Sequence, residues 1–341
     1  MKIEYPTYLF GESPDLFKYI LNYPPANYEF EQCPEDSNTE KTNLFSHHIS
    51  RLFNESQKLS VETDFFKKMI ANRRVELNLK VPFFKPVLVP SCPIYIGPNP
   101  WICEIEHWES LLYPETYSGD IQNTPILKFL KCQFNLPNFR GIITHIKDTV
   151  KSLIEIFGES YKDRFFYVPI GYPTPKVRIA HPKTNELRLL VYKTTDSDDL
   201  KLLIKAFEMA NAKNPRIKLK VVSDDSISKF RLMRHLIRCS VLILPDRVDP
   251  LLVVQAMAYQ KPVICNDGWG ISEYIIDGFN GLIVDKNQES LTSVFLMMVD
   301  NLGFIRKMGI NGGKLARQKF SNEARNKVLG EIFDDKFIDS Y

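Results

Sequence analysis

The chain has 341 residues, 44% of them hydrophobic and 25% charged, with a formal net charge of +3 at pH 7. That length exceeds the ~250 residues at which single cores stop growing, so two domains are expected. The slight charge and the lack of a long basic tract interleaved with aromatics give no argument for a nucleic-acid partner, and no run reaches the ~18 apolar residues of a membrane span.

The opening residues MKIEYP lack a basic stretch followed by a long apolar one, so no signal peptide is expected. Gly11, Glu12, Ser13 and Pro14 precede a helical run over 15–21, with Ser13 as its cap and Pro14 at the first helical position. Residues 31–60 are polar and irregular. His47 and His48 have no third ligand at a metal spacing and read as solvated. Residues 64–74 form a basic amphipathic helix, either a solvated face or one that meets anionic lipid. Short strands follow at 87–89, 94–96 and 101–105. Glu106 and His107 fall just past the carboxyl end of the last of these. They read either as a surface acid with a capping histidine or as a carboxylate beside an imidazole, able to orient a hydroxyl. A strand, polar turn and helix occupy 140–157, and a strand over 165–171 closes on Pro169, Ile170 and Gly171. Residues 172–186 hold Pro173, Pro175 and Pro182 and fit a hinge.

The second half opens on a strand over 187–192, followed by Lys193, a helix over 200–211, a strand over 217–222 and a helix over 228–238. The apolar run 241–244 reads as a strand buried on both faces. A proline-broken loop (Asp246, Arg247, Val248, Asp249, Pro250) leads into a helix over 251–259, stopped by Lys261 and Pro262. A strand at 262–265 and a glycine-bearing loop at 266–270 come next, and Ser272 or the loop before it caps a helix over 273–276. Asp277, Gly278, Asn280 and Gly281 turn the chain into a strand at 282–284. Helices at 288–301 and 304–319 follow, then a last one capped by Ser321. Alternating strands and helices mean parallel strands with crossovers, whose ligands sit at the strands' carboxyl ends. Loops 246–250 and 266–272 both lie there. The six cysteines (33, 92, 103, 132, 239 and 265) show no paired metal spacing. Cys103, Cys239 and Cys265 border apolar runs as buried free thiols do, which points to a reducing, cytoplasmic setting.

Taken together, Ala256, Met257, Ala258, then Lys261, Pro262, Val263, Ile264, then Gly270, Ile271, Ser272, Glu273, and finally Asp277, Gly278, Phe279, Asn280, Gly281 resemble one known pattern. It is that of the donor-binding half of retaining GT-B glycosyltransferases, family 4-like (glycosyl transferases group 1). The resemblance covers roughly 140–330 well and 1–110 weakly. It implies an α/β, GT-B architecture: two Rossmann-like, doubly wound parallel-sheet domains facing a cleft. Residues 1–171 would form the acceptor-side domain, 172–319 the nucleotide-sugar-binding domain, and 320–341 a helix crossing back to the first. It implies transfer of a hexose from a UDP- or GDP-type donor to the hydroxyl of a glycan, lipid-linked or small-molecule acceptor. The anomeric configuration would be retained, with no metal or other cofactor.

The resemblance also assigns residues. Of the family's pair of glutamates, the second is Gln255, able to bond a ribose hydroxyl but without charge. The first is Arg247 in an ungapped match, or Asp249 after a two-residue deletion. Asp249 is preferred because Asp249-Pro250 mimics the family's Glu-Pro, and it is the expected catalytic acid. Glu106 and His107 stand where the family carries polar or acidic residues toward the cleft, bordering the acceptor. Tyr192-Lys193 replaces the family's Gly-Arg, leaving Lys193 as the diphosphate ligand. Asp198 and Asp199 replace its lysine and would repel a diphosphate. Arg247 and backbone amides near Gly268 and Gly270 would add positive potential, and Gly11 would either face phosphates through its amide or serve in plain capping. Asp246, Pro250, Leu251, Ser272 and Glu273 would complete the donor pocket. Two rivals keep the fold: a catalytically silent scaffold or binding protein, and a nucleotide-sugar epimerase or hydrolase.

Overall fold

The structure is a computed structural model that describes residues 1–5, 20–32, 85–90, 99–112, 121–122, 124–173, 175, 185–193, 197–223, 228–245, 249–267 and 273–338. Its strands form two sheets in which every pairing is parallel. The first contains Lys2–Tyr5 (β1), Glu29–Gln32 (β2), Val87–Pro90 (β3), Trp101–Ile105 (β4), Phe139–Thr144 (β5) and Phe165–Tyr167 (β6), in the order β2-β1-β3-β4-β5-β6. The second contains Leu187–Lys193 (β7), Ile217–Ser223 (β8), Val241–Leu244 (β9), Val263–Cys265 (β10) and Gly281–Ile283 (β11), in the order β11-β10-β9-β7-β8. In both, the first two strands are transposed and the rest follow in sequence, the signature of double winding. β4 and β9 are buried along their whole length, which explains the unbroken apolar run of β9 and leaves Glu104 as the one charged residue of β4.

The helices are Pro125–Phe134 (α1), Lys147–Phe157 (α2), Asp198–Lys213 (α3), Lys229–Arg238 (α4), Pro250–Ala258 (α5), Gln288–Asp300 (α6), Leu302–Lys319 (α7) and Asn322–Phe333 (α8). Side-chain caps start five of them: Thr124 for α1, Ser197 for α3, Ser228 for α4, Asp249 for α5 and Asn287 for α6, whereas α2 and α7 begin without one. Ser321 likewise accepts from Ala324 N at 3.1 Å in the first turn of α8.

The chain divides into two compact units, Met1–Pro169 with Arg325–Tyr341, and Ile170–Ala324. In the first unit, one sheet face buries Trp101, Cys103 and Ile105 against α1 and α2. The other buries Ile3, Leu88, Ile102 and Ile143 against Leu329, Phe333 and Phe337. In the second, Leu187, Leu189 and Val191 of β7 pack with Leu203 and Ala206 of α3 and Phe295 and Met298 of α6.

One expected helix is absent. Over 273–276 the chain makes only a single turn of 3-10 character. The cause is Asn280, wholly buried, whose Nδ2 donates to Tyr274 O at 2.7 Å and whose Oδ1 accepts from Ile276 N at 2.7 Å. These bonds take the backbone groups a helix would use, while Tyr274 and Ile275 turn into the core. Gly281 permits the return: a Cβ there would sit 2.4 Å from Val263 O. The strand expected at 94–96 and the helix expected at 64–74 lie outside the described residues; of the helix expected at 15–21, residues 20 and 21 are described and are helical.

Candidate functional site

In the second unit the strand order reverses between β7 and β9, and a doubly wound sheet opens a ligand crevice at the carboxyl ends of such strands. Lys193, half-buried, is the last residue of β7, and Pro245 follows β9. Asn266, just past β10, donates its Nδ2 to Pro245 O at 3.1 Å and ties the two strand ends together. Beneath them Pro245, Asn266, Asp199 and Lys286 line a pocket of about 10 Å³, the room for roughly one water.

Asp198 and Asp199, expected to repel an anion here, are each compensated. Asp199 Oδ2 lies 2.6 Å from Lys286 Nζ, and Asp198 Oδ1 lies 2.8 Å from Lys201 Nζ. The Lys201 hydrogen bond holds the Asp198 carboxyl below the usual aspartate range. Both acids also sit in the first turn of α3, where the helix dipole favours negative charge.

Asp249 has a structural task. Its Oδ1 accepts from Leu251 N at 2.8 Å and Leu252 N at 3.2 Å, capping α5, and Pro250 occupies the first helical turn. Pro250 and Leu251 are buried with the rest of α5, and Gln255 is the one residue of that helix outside the buried set. Glu273 is half-buried in the turn before Tyr274, whose ring stacks on Phe320 at 5.2 Å. Gly11, Asp246, Arg247, Gly268, Gly270 and Ser272 lie outside the described residues.

In the first unit, Glu106 and His107 stand just past β4. His107 Nε2 is 3.5 Å from Glu106 Oε1. The Glu106 carbonyl accepts from Thr144 Oγ1 at 3.1 Å and from Thr149 Oγ1 at 3.0 Å, so the turn is clamped to the end of β5 and the start of α2.

Beside that turn lie two residues that sequence reasoning missed. Glu104, 1% exposed, puts Oε1 3.4 Å from Nε2 of His145, also 1% exposed. His145 Nδ1 is 2.8 Å from Val168 O, which can only accept, so Nδ1 carries a proton. The available signal was a lone acid inside an apolar strand, which demands a buried partner. That partner, His145, follows the neighbouring strand β5 in a register where Glu104 faces Ile143.

Residues 225–312 match the family model described as Glycosyl transferases group 1. The uncharacterized glycosyltransferase MJ1178 of Methanocaldococcus jannaschii is 36% identical over 116 residues, which is 33% of this chain and 31% of that relative. The chain thus spans about a third of the length of the curated relative it matches. Among solved structures, Anabaena HepE in complex with UDP and glucose superposes with a TM-score of 0.60 at 13% identity, covering 98% of this chain and 100% of HepE. Sucrose-phosphate synthase from Thermosynechococcus elongatus gives 0.60 at 13% identity, covering 98% and 99%. At such identities these two show a common fold. The chain therefore has the GT-B fold, and its residues 225–312 match the glycosyl transferases group 1 family model.

Proposed function

We propose that the chain is a hexosyltransferase using a UDP- or GDP-type sugar donor and an acceptor hydroxyl on a glycan, lipid-linked or small-molecule substrate, with retention of anomeric configuration and without a metal. In that reaction the bond from the anomeric carbon to the diphosphate oxygen breaks and a bond to the acceptor oxygen forms. The hydroxyl proton leaves with the nucleoside diphosphate. The protein must stabilise the charge on the departing diphosphate and on the oxocarbenium-like sugar. Lys193, Arg247 and the amides near Gly268 and Gly270 are assigned the first task and Asp249 the second. Gln255 is assigned the ribose, and Glu106 and His107 the acceptor. A cytoplasmic setting belongs to the same reading, which the buried free thiols Cys103, Cys132, Cys239 and Cys265 support. Among the described residues no helix is long and apolar enough to cross a membrane.

The observation that carries the reading is that the family match covers β9, α5, β10 and β11, and β9 is one of the two strands that flank the reversal point of the second sheet. HepE, whose crystals hold UDP and glucose, makes a UDP donor the first to try. Titration calorimetry with UDP, GDP and their sugars tests it. Donor binding with turnover supports the enzyme, and Lys193→Ala is expected to weaken that binding by about 1.5–3 kcal/mol, as loss of a charged hydrogen bond does. Unchanged affinity in that variant rejects the lysine's role, and no binding to any donor leaves the scaffold reading in its place.

A further inference from the structure

Positive charge is unevenly distributed along this chain. Residues 216–238 hold seven lysines and arginines against Asp224 and Asp225, a formal +5, although the whole chain carries only +3. The remainder is therefore net negative by two. The concentration is spatial as well. β8 ends the described order of the second sheet and exposes Lys218 and Lys220, and α4 lies against the neighbouring β7. Arg188, Leu190, Lys218, Lys220, His235 and Arg238 line a cavity of about 170 Å³ between these elements. Arg231 and Arg234 are exposed on the same helix, which has no acid in its first turn. The mutual repulsion is felt at His235: burial, then Lys220, Arg238 and Arg234, hold its imidazole below the usual histidine range.

α4 also exposes apolar side chains, with Phe230 at 72% and Ile237, one heptad on, at 41%. Lysines on a terminal strand can be read as protection against edge pairing, but that reading does not account for the arginines of α4. A free phosphate or a nucleic-acid backbone would use the cations and have no use for Ile237, which offers no stacking face. A bilayer interface takes both: anionic headgroups pair with the cations while apolar tips enter the headgroup boundary. We propose that the face formed by α4 and β8 docks the protein on an anionic phospholipid surface, with Lys218, Lys220, Arg234 and Arg238 receiving headgroup phosphates and Phe230 and Ile237 inserting; Arg188 is already paired with Glu186 at 3.1 Å.

The test is co-sedimentation of the full chain with vesicles of phosphatidylcholine, alone and with one part in three phosphatidylglycerol. Binding is expected only to the anionic vesicles, and it should fall as salt shortens the Debye length from about 10 Å to about 3 Å. The double variants Lys218→Glu with Lys220→Glu and Arg234→Glu with Arg238→Glu are each expected to lower vesicle affinity about tenfold or more. Phe230→Ser should lower it severalfold, including at high salt. All variants are surface changes whose melting temperature checks the fold. Four results overturn the proposal: no binding to anionic vesicles, equal binding to neutral ones, binding undiminished in the charge variants, or variant-sensitive binding of inorganic pyrophosphate or duplex DNA without vesicle binding.

Discussion

Asp249 shows how one carboxylate can answer to two demands. As a cap it satisfies the amides of Leu251 and Leu252, and Asp249→Ala is expected to cost about 1 kcal/mol in urea denaturation. Asparagine caps a helix as well as aspartate does, so Asp249→Asn should leave stability within a few tenths of a kcal/mol. If its charge serves the transferring sugar, turnover falls in Asp249→Asn while the fold stays intact. Equal activity moves that role to another acid. Lys261, one of the family-like residues, has no such ligand role. It is 1% exposed and donates its Nζ to Cys239 O at 2.9 Å. Burial lowers its pKa from the ordinary lysine value, and burial also pushes the Cys239 thiol up to about 12. The sign follows from linkage. Between the lowered folded pKa and the ordinary value of 10.5, the unfolded chain binds more protons, so stability rises with pH across that window. Below it, the cost of burying the ammonium is felt in full. Denaturation of the wild type and Lys261→Met at neutral and alkaline pH should therefore show the wild type gaining relative to the variant as pH rises. Parallel curves would mean that Lys261 keeps an ordinary pKa in its buried site.

At the scale of elements, the close approach of α5 and α7 rests on Gly309 and one strained residue. Lys261 N donates to Ala256 O at 2.8 Å and Gln260 N to Met257 O at 2.8 Å, a Schellman closure that leaves Gln260 at φ 55° where glycine is usual. α7 crosses this corner so tightly that a Cβ on Gly309 would lie 2.1 Å from Gln260 O, whereas one on Gly312 would meet nothing nearer than 3.6 Å. Gly309→Ala is expected to lose at least 1–3 kcal/mol, as overpacking does. Gly312→Ala should be neutral or gain up to about 1 kcal/mol from helix propensity. Similar melting temperatures for the two would contradict this corner. Elements written locally were legible in the sequence: β9 through its unbroken apolar run, and α5 through the Lys261-Pro262 stop that follows it. What depended on distant partners was not. The short segment 273–276 reads as helix until Asn280 takes its backbone groups. The ion pairs of Asp198 and Asp199 likewise escape one-dimensional reading, since Lys286 lies 87 residues beyond Asp199. Glu104 and His145 meet only through the parallel register of β4 and β5.

At the scale of the whole molecule, the two compact units have similar sheets but different chemistry along their carboxyl edges. The second offers Lys193 at the end of β7, beside the reversal point of its sheet. The first offers Glu106, His107 and the buried Glu104–His145 pair, which suit a proton-bearing group better than a diphosphate. The proposed function places the nucleotide in the second unit, and that placement can be tested without substitution. A nucleoside diphosphate present at about a hundred times its Kd stabilises the state it binds by about 2.7 kcal/mol. If it binds at the reversal point of the second sheet, the added protection in amide hydrogen exchange should appear in β7, β9, α5 and β10. Exchange in β1 and β2 of the first unit should stay as it was. UDP and GDP compared at equal saturation then show which base is held. Slowed exchange centred on β1 to β4, with β7 and β9 unaffected, would move the nucleotide to the other unit and leave Lys193 without its phosphate.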